Sequence, residues 1–507
     1  MLDPRHIPVL VGVGQVCGDR QRTVPGAREP AELMLDALRL AAEDAGSPQL
    51  LADADSIDTV NVVSWIYDDL PGLFARRLGA QLKRQFSSPV GGQWPARLLD
   101  GAAARVATGE TRIGLIVGGE AQSSTGVLAK AGLDPIVDSG WSAEPGGPPP
   151  FDPNLLGSAE AQAAGLIFPT RVYPLFENRL RYELGHTPAQ AAAWSAQLYA
   201  DFSAAAAENP VAWNRVRRSA AEIAAVGPGN RMVCEPYPLA MNAMPHVDQA
   251  AAVIVTSLAT AREYGVSDGR LVYVWGGAGA DEAADFLHRD GFGRSPAMAS
   301  ALECTLAQAE VAAEHLDLVD IYSCFPVVPK LAALQLGLPR EAVLSVTGGH
   351  SSFGGPMNTY TLFSVVAVAL GLRRRGLRRR PGLALVHGNG GFVTYQHAVL
   401  LGTTPHAYVG QPEPVAIAPS AAPELMPASS GEVTVETATV EYGRDGQPAT
   451  GFLIGRTPGG QRMAAQTASG DTASARALSL EQNTREIVGA AVRLDVDGAY
   501  VRIAREE

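Results

Sequence analysis

Short β-branched runs alternate with alanine-rich stretches of helical period along most of the chain. Ile7–Val16 reads as a buried strand, Glu29–Ala45 as a helix, Ser56–Trp65 as a strand and Trp94–Thr108 as a helix. Ile113–Gly119 follows as a buried strand that ends in glycines. Strands spaced by helices of this length predict an α/β fold with a mainly parallel sheet. Between Gln122 and Met241 the rhythm breaks. A Pro/Gly-rich run, Glu144-Pro-Gly-Gly-Pro-Pro-Pro150, precedes helical stretches, so this segment reads as an inserted subdomain.

Asp248–Leu258 returns to a buried apolar run, and a second α/β stretch begins. It predicts strands at Leu271–Trp275, Leu318–Tyr322 and Leu383–His387, with helices at Pro296–His315, Pro326–Leu336 and Asn358–Leu372. In each stretch a helix ends at a polar turn and a glycine-rich strand follows, an internal echo that predicts two related halves. Thr403–Ser430, rich in Pro and Ala, reads as a linker. Beyond it the period becomes two, as in Val433-Thr-Val-Glu-Thr-Ala-Thr-Val-Glu-Tyr442, with turn signals at Asp445-Gly446, Pro458-Gly459-Gly460 and Asp497-Gly498. The predicted organisation is a first half over 1–258 with its insertion at about 122–241, and a second half over 259–405. A linker over 406–430 leads to a small antiparallel β-barrel, OB-like, over 431–507.

Composition narrows the function classes. The 507 residues carry a net charge of −12, which disfavours nucleic-acid binding. The four cysteines, Cys17, Cys234, Cys304 and Cys324, are far apart and contain no C-x-x-C pair. That pattern fits a reducing compartment and neither a disulfide scaffold nor a cysteine-type zinc site. No signal peptide or spanning apolar run is visible, so the expectation is a cytoplasmic protein without membrane or metal partners.

Three local sequences carry a resemblance. His246-Val-Asp-Gln-Ala-Ala-Ala252 is similar to a D-G-A-A-A segment, and Val346-Thr-Gly-Gly-His-Ser-Ser-Phe-Gly-Gly-Pro356 to a G-G-x4-G-H-P run. Asp320-Ile-Tyr-Ser-Cys-Phe325 stands where N-E-A-F or H-D-C-F would be expected. Together with the two halves and the large insertion, these resemble the thiolases, near the sterol-carrier-protein type. The closest pattern is that of thiolase-like proteins often labelled acetyl-CoA acetyltransferases, with an appended β domain. The resemblance implies the layered, two-halved thiolase fold (α/β/α/β/α) over roughly 5–405. It also implies a cysteine nucleophile activated by a histidine, a second cysteine that moves protons, and an Asn or His in the oxyanion hole.

Carried across residue by residue, those four roles fall on Gly92, Gly355, Gly388 and Tyr322 respectively. No thiol or imidazole stands at any of them, and no cysteine lies between Cys17 and Cys234. The remaining candidates for chemistry are Tyr322, His350 and His387. Each has a plain structural alternative: a ring that plugs an emptied pocket, a loop histidine bonding its own loop, and a satisfied core histidine. Asn358, Asn389, Ser351 and Cys324 are candidate pocket lining, Asn358 also serving as a helix cap. A serine nucleophile among Ser87, Ser88, Ser351 and Ser352 would need a base in reach. Val11-Gly-Val-Gly14 and Trp275-Gly-Gly-Ala-Gly279 follow strands without completing a dinucleotide fingerprint. The arginines at 373–375 and 378–380 suit a helix end, with phosphate binding the lesser reading.

The leading expectation is a protein that binds acyl-CoA or a related thioester as substrate or ligand, holds no covalent cofactor, and has lost ordinary thiolase chemistry. Two others stand beside it. One is a carbon–carbon lyase or acyltransferase of non-standard mechanism using Tyr322, His350 or His387. The other is a non-catalytic scaffold whose β domain binds a protein partner. Monomer and homodimer are both open.

Overall fold

The structure is a computed structural model that describes residues 2–143, 145–149, 152, 157–375, 382–480 and 486–504. Its strands, in chain order, are β1 (Pro8–Cys17), β2 (Ser56–Thr59), β3 (Arg84–Ser87), β4 (Ile113–Ala121), β5 (Met232–Cys234), β6 (Tyr237–Pro238) and β7 (Asp248–Ser257). The second half adds β8 (Val272–Asp281), β9 (Leu318–Ile321), β10 (Leu383–Gly390), β11 (Tyr395–Gly402) and β12 (Gln411–Ala416). The C-terminal part adds β13 (Gly431–Tyr442), β14 (Pro448–Arg456), β15 (Arg462–Gln466), β16 (Ala491–Asp497) and β17 (Tyr500–Ala504).

Two half-sheets form the core, β3-β2-β4-β7-β1 and β8-β11-β10-β9 with β12 beside β8. They join through a short β1–β8 pairing at Val9↔Tyr273 and Leu10↔Val272. Two helices, Trp94–Thr108 and Tyr360–Arg375, touch each other and strands of both halves. The second has no polar stripe of its own: Tyr360, Leu362, Phe363, Val365, Val366, Val368, Ala369 and Leu372 are all buried. A helix apolar on every side is stable only where it is covered on every side, which this central layer provides. The layered, two-halved α/β fold is therefore present. The expectation of a mainly parallel sheet is corrected: β2–β3, β2–β4 and β9–β10 are parallel, whereas β1–β7, β4–β7, β8–β11 and β10–β11 are antiparallel.

The expected strand over Ser56–Trp65 stops at Thr59. Beyond it the backbone turns to the buried Glu120, whose carboxylate accepts from the Val63 and Ser64 amides, both at 2.8 Å. The two glycine-rich runs serve packing. A Cβ at Gly12 or Gly14 would run into the carbonyls of Ala41 and Ala37 on helix Pro30–Ala45. In the second run, Gly277 faces the Asp100 carboxyl and Gly279 the ring of His397.

Within the Pro/Ala-rich stretch read as a linker, Gln411–Ala416 forms an edge strand parallel to β8. Tyr408 beside it donates to Asp100 Oδ1 (2.7 Å), and Arg97 pairs with Glu413 (2.6 Å).

The C-terminal sheet runs β15-β14-β13-β16-β17 and is antiparallel. Among the described residues a bridge, Thr467↔Val501, links its two ends without a ladder between them, so closure into the expected barrel is not confirmed. The sheet also takes in β5, a strand from the insertion, at Glu441↔Cys234. Glu235 beside it is fully buried and accepts from Tyr442 Oη (2.5 Å), Ser479 Oγ (2.6 Å) and the Leu480 amide (2.8 Å). Insertion helix Pro169–Glu183 packs on β13, with Arg171 paired to Glu441 (2.9 Å) and Arg181 to Glu486 (2.6 Å).

Among the described residues no helix is long and apolar enough to cross a membrane.

Candidate functional site

The first central helix starts at Trp94, so Gly91 and Gly92 lie at its N-terminus, facing the ends of β9 and β10. A Cβ built on Gly92 would fall against Tyr322 Oη, with Tyr322 Cζ and the Asn389 carbonyl oxygen each at 2.6 Å. A Cβ on Gly388 would stand 3.1 Å from the Gly92 carbonyl oxygen and 3.1 Å from Thr361 Oγ1. Thr361 in turn donates to Gly92 O (2.6 Å). Gly92, Gly388 and Tyr322 thus converge, and the tyrosine ring fills the volume a side chain at 92 would need. Gly355 has a separate setting, with Ala243 Cβ and the Met244 backbone 3.5 Å from its Cβ direction.

His350 lies against Tyr322. It is buried, stacks on Tyr360 with ring centroids 3.5 Å apart, and meets Tyr322 edge-on at 4.3 Å. Its Nδ1 is 3.3 Å from Ser323 Oγ, and its Nε2 has no hydrogen-bond partner among the described residues. Burial with no compensating anion drives its pKa well below the ordinary imidazole value, so the ring is neutral at pH 7. Tyr322 and Tyr360 are pushed up by the same desolvation and act as neutral hydroxyls. Ser351 is half-buried, its Oγ also without a partner among the described residues.

The expectation that Asn358 begins the helix is corrected: the helix starts at Tyr360. Asn358 sits in the preceding turn, accepts from the Gly91 amide (2.9 Å) and donates to Asn61 O (3.1 Å). It therefore holds the Gly91–Gly92 turn in place.

His387 and Asn389 flank Gly388 on β10, and successive strand residues point to opposite faces. They consequently face away from Gly92, toward insertion helix Pro169–Glu183. There a one-way chain of hydrogen bonds forms. Tyr173 Oη donates to Gly391 O (2.7 Å) and accepts from Asn389 Nδ2 (3.0 Å). Asn389 Oδ1 accepts from Gln396 Nε2 (2.8 Å), and Gln396 Oε1 accepts from His387 Nε2 (2.8 Å). The chain places the His387 proton on Nε2 and leaves Nδ1 bare. Desolvation lowers the His387 pKa to about 4, only partly offset by Gln396. Cys324 lies beside Tyr173 at the other end, its thiol pushed up to about 12 by burial. A thiol so rarely ionised is a poor nucleophile. The candidate residues therefore divide between two faces of the second half-sheet.

Residues 412–499 match the family model of the thiolase-like protein type 1 additional C-terminal domain. The fold is similar to that of a monomeric SCP2-thiolase-like protein type 1 from Mycobacterium smegmatis, 28% identical with a TM-score of 0.80, over 99% of this chain and 100% of that one. This chain belongs to the thiolase superfamily. The core is also similar to an Ltp2–ChsH2(DUF35) aldolase (19% identity, TM-score 0.55, 79% of this chain and 98% of that one). It resembles as well the Acat5 thiolase of Ascaris suum solved with coenzyme A (16% identity, TM-score 0.52, 78% and 99%). No curated protein sequence matches.

This thiolase-like protein carries functional candidates that motif reading passed over. Tyr173, Gln396 and Ser323 matter only through contacts with residues distant in sequence. A larger omission is an arginine surface. Arg20, Arg22, Arg215 and Arg217 are exposed and Arg218 is half-exposed. Arg20 and Arg215 donate to the carbonyls of Pro210 (2.6 Å) and Ala207 (3.0 Å), and the Arg22 guanidinium lies 5.8 Å above the Trp213 ring. The next residues hold the His350 loop: the Trp213 amide donates to Phe353 O (2.6 Å) and Asn214 N to Ser352 O (3.1 Å). The run Asn214-Arg-Val-Arg-Arg-Ser219 was the available signal. By contrast, Arg373 pairs with Asp44 (2.6 Å) as part of the core, and Arg378–Arg380 lie outside the described residues.

Proposed function

We propose that the protein binds acyl thioesters of coenzyme A, or a related thioester, without taking the acyl group onto its own residues. The observation that carries this reading is the arginine surface beside the His350 loop, on a chain whose net charge is −12. Exposed guanidinium groups suit phosphate oxygens, which they bind through paired N–H donors, although Arg22 and Arg218 also act on the carboxylates of Asp248 and Glu222. The coenzyme A complex of a protein of the same fold supports the ligand class. The ring of Tyr322 over Gly92, the neutral His350 and the weakly acidic Cys324 support the absence of covalent transfer.

The test is intact-protein mass spectrometry after incubation with acetyl-CoA and longer acyl-CoAs, paired with a calorimetric coenzyme A titration. Saturable binding without an adduct is expected, and Arg217→Glu with Arg218→Glu should weaken it about tenfold or more. A stable acyl adduct on Cys324 or on a serine overturns the reading.

One observation favours a second reading, a carbon–carbon lyase: the unpartnered Nε2 of His350 beside the Tyr322 ring. A neutral histidine and a tyrosine hydroxyl could together hold a carbonyl oxygen as charge develops on it. Cleavage of a β-hydroxyacyl-CoA that is lost in Tyr322→Phe, with the fold retained, would establish this second reading over the first.

A further inference from the structure

We infer that the acyl chain of the bound thioester lies along the surface over Val90 and Met357, so that the favoured ligands carry a chain of several carbons. This rests on the thioester-binding reading above. The interior is closed to a chain: Tyr322 covers Gly92, and His350 and Tyr360 stack behind it. At the rim two large apolar side chains are exposed instead, Val90 at 66% and Met357 at 37%. They directly precede Gly91 and Asn358, whose amide and Oδ1 are joined at 2.9 Å.

Met357 is also held in an uncommon conformation. Its φ is +44°, in the region that side-chain-bearing residues avoid, and its amide is tied to Gly355 O at 2.7 Å. Such strain at an exposed, apolar and flexible side chain persists where the surrounding structure enforces it, and it fixes where that side chain stands. A path of hydrogen bonds and backbone links this rim to Arg22. Gly355 N donates to Met244 O (2.9 Å), Met244 N donates to His350 O (3.0 Å), and Arg22 reaches His246 O (3.4 Å). An amphipathic thioester fits that layout, with phosphates at the arginines and its chain across Val90 and Met357.

The test compares coenzyme A, acetyl-CoA and octanoyl-CoA by calorimetry on the full chain. Octanoyl-CoA is expected to bind roughly tenfold or more tightly than coenzyme A. In Val90→Asp with Met357→Asp that ratio should fall toward one. Met357→Gly, which also removes the backbone strain, should reduce it without lowering the thermal midpoint. Equal affinities in the unaltered protein, or an undiminished ratio in both variants, overturn the surface path. Failure of all three ligands to saturate is a different result, and it overturns the thioester reading itself.

Discussion

Gly92→Ala tests directly whether the Tyr322 ring closes the volume above Gly92. The added methyl would stand 2.6 Å from both Tyr322 Cζ and the Asn389 carbonyl oxygen. Carbon contacts are favourable near ~3.5–4.0 Å, so both partners would have to shift by about 1 Å. Tyr322 is enclosed by His350 and Tyr360, and Asn389 O belongs to β10, so neither moves freely. Overpacking of this kind costs about 1–3 kcal/mol. In a Tyr322→Ala background the ring clash disappears, leaving only the carbonyl contact. The double-mutant cycle should then show a coupling of about 1–2 kcal/mol in favour of the pair. The assay is urea unfolding followed by tryptophan fluorescence and circular dichroism, with each single variant and the double variant side by side. A Gly92→Ala protein within about 0.5 kcal/mol of the parent, with no coupling, refutes the reasoning. The volume above Gly92 would then be open.

Other outcomes follow from buried groups. The folded pKa of His387 is about 4 against an ordinary 6.5, so its contribution to stability is present above pH 6.5 and is lost as pH falls toward 4. The loss amounts to about 3 kcal/mol. His387→Gln should flatten that part of the stability–pH curve, and parallel curves would count against the assignment. Lys330 and Glu177 form a buried pair at 2.5 Å, with side chains 1% and 2% exposed. Lys330→Met should therefore cost about 3–5 kcal/mol in urea, because the carboxylate is left buried without its cation. Deleting 431–507 should yield an aggregating chain in size-exclusion chromatography, since β5, Glu235, Arg171 and Arg181 all lose partners within the C-terminal sheet. A monodisperse truncated protein with an unchanged melting curve would show instead that the core stands alone.

The last of these predictions bears on the scaffold reading. β13, an inner strand of the C-terminal sheet, is joined at Glu441 by β5 from the insertion, so the β domain is built into the rest of the chain rather than hung from it.

Much of the fold was legible in the sequence because burial leaves a periodic trace. The two central helices are the clearest case. Tyr360–Arg375 is apolar on nearly every side, and Trp94–Thr108 is bounded by Pro95 and by Gly109 in the left-handed conformation. The strand β12 was not legible, for a specific reason. Pro412 and Pro414 have no N–H to donate, so Gln411–Ala416 looks unfit for a sheet, yet at an edge only one side must pair. The direction of strand pairing was equally hidden, because the alternation of buried and exposed residues is the same in parallel and antiparallel ladders.

Gly92, Tyr322, Gly355 and Gly388 could be read one by one, but what surrounds them could not. That Tyr322 lies on Gly92, 230 positions away, depends on β9 and the first central helix meeting across the layers. Nothing local to Asp320–Phe325 encodes that meeting. The arginine surface has the same origin, since Arg20 and Arg22 reach Pro210 and Trp213 only when the first strand and the insertion fold together. Residue type and hydrophobic period are properties of the chain and determined the fold class and the absence of any cysteine between Cys17 and Cys234. Which side chain fills a given volume, and which charges share a surface, is decided by contacts between distant segments, and so only by the tertiary structure.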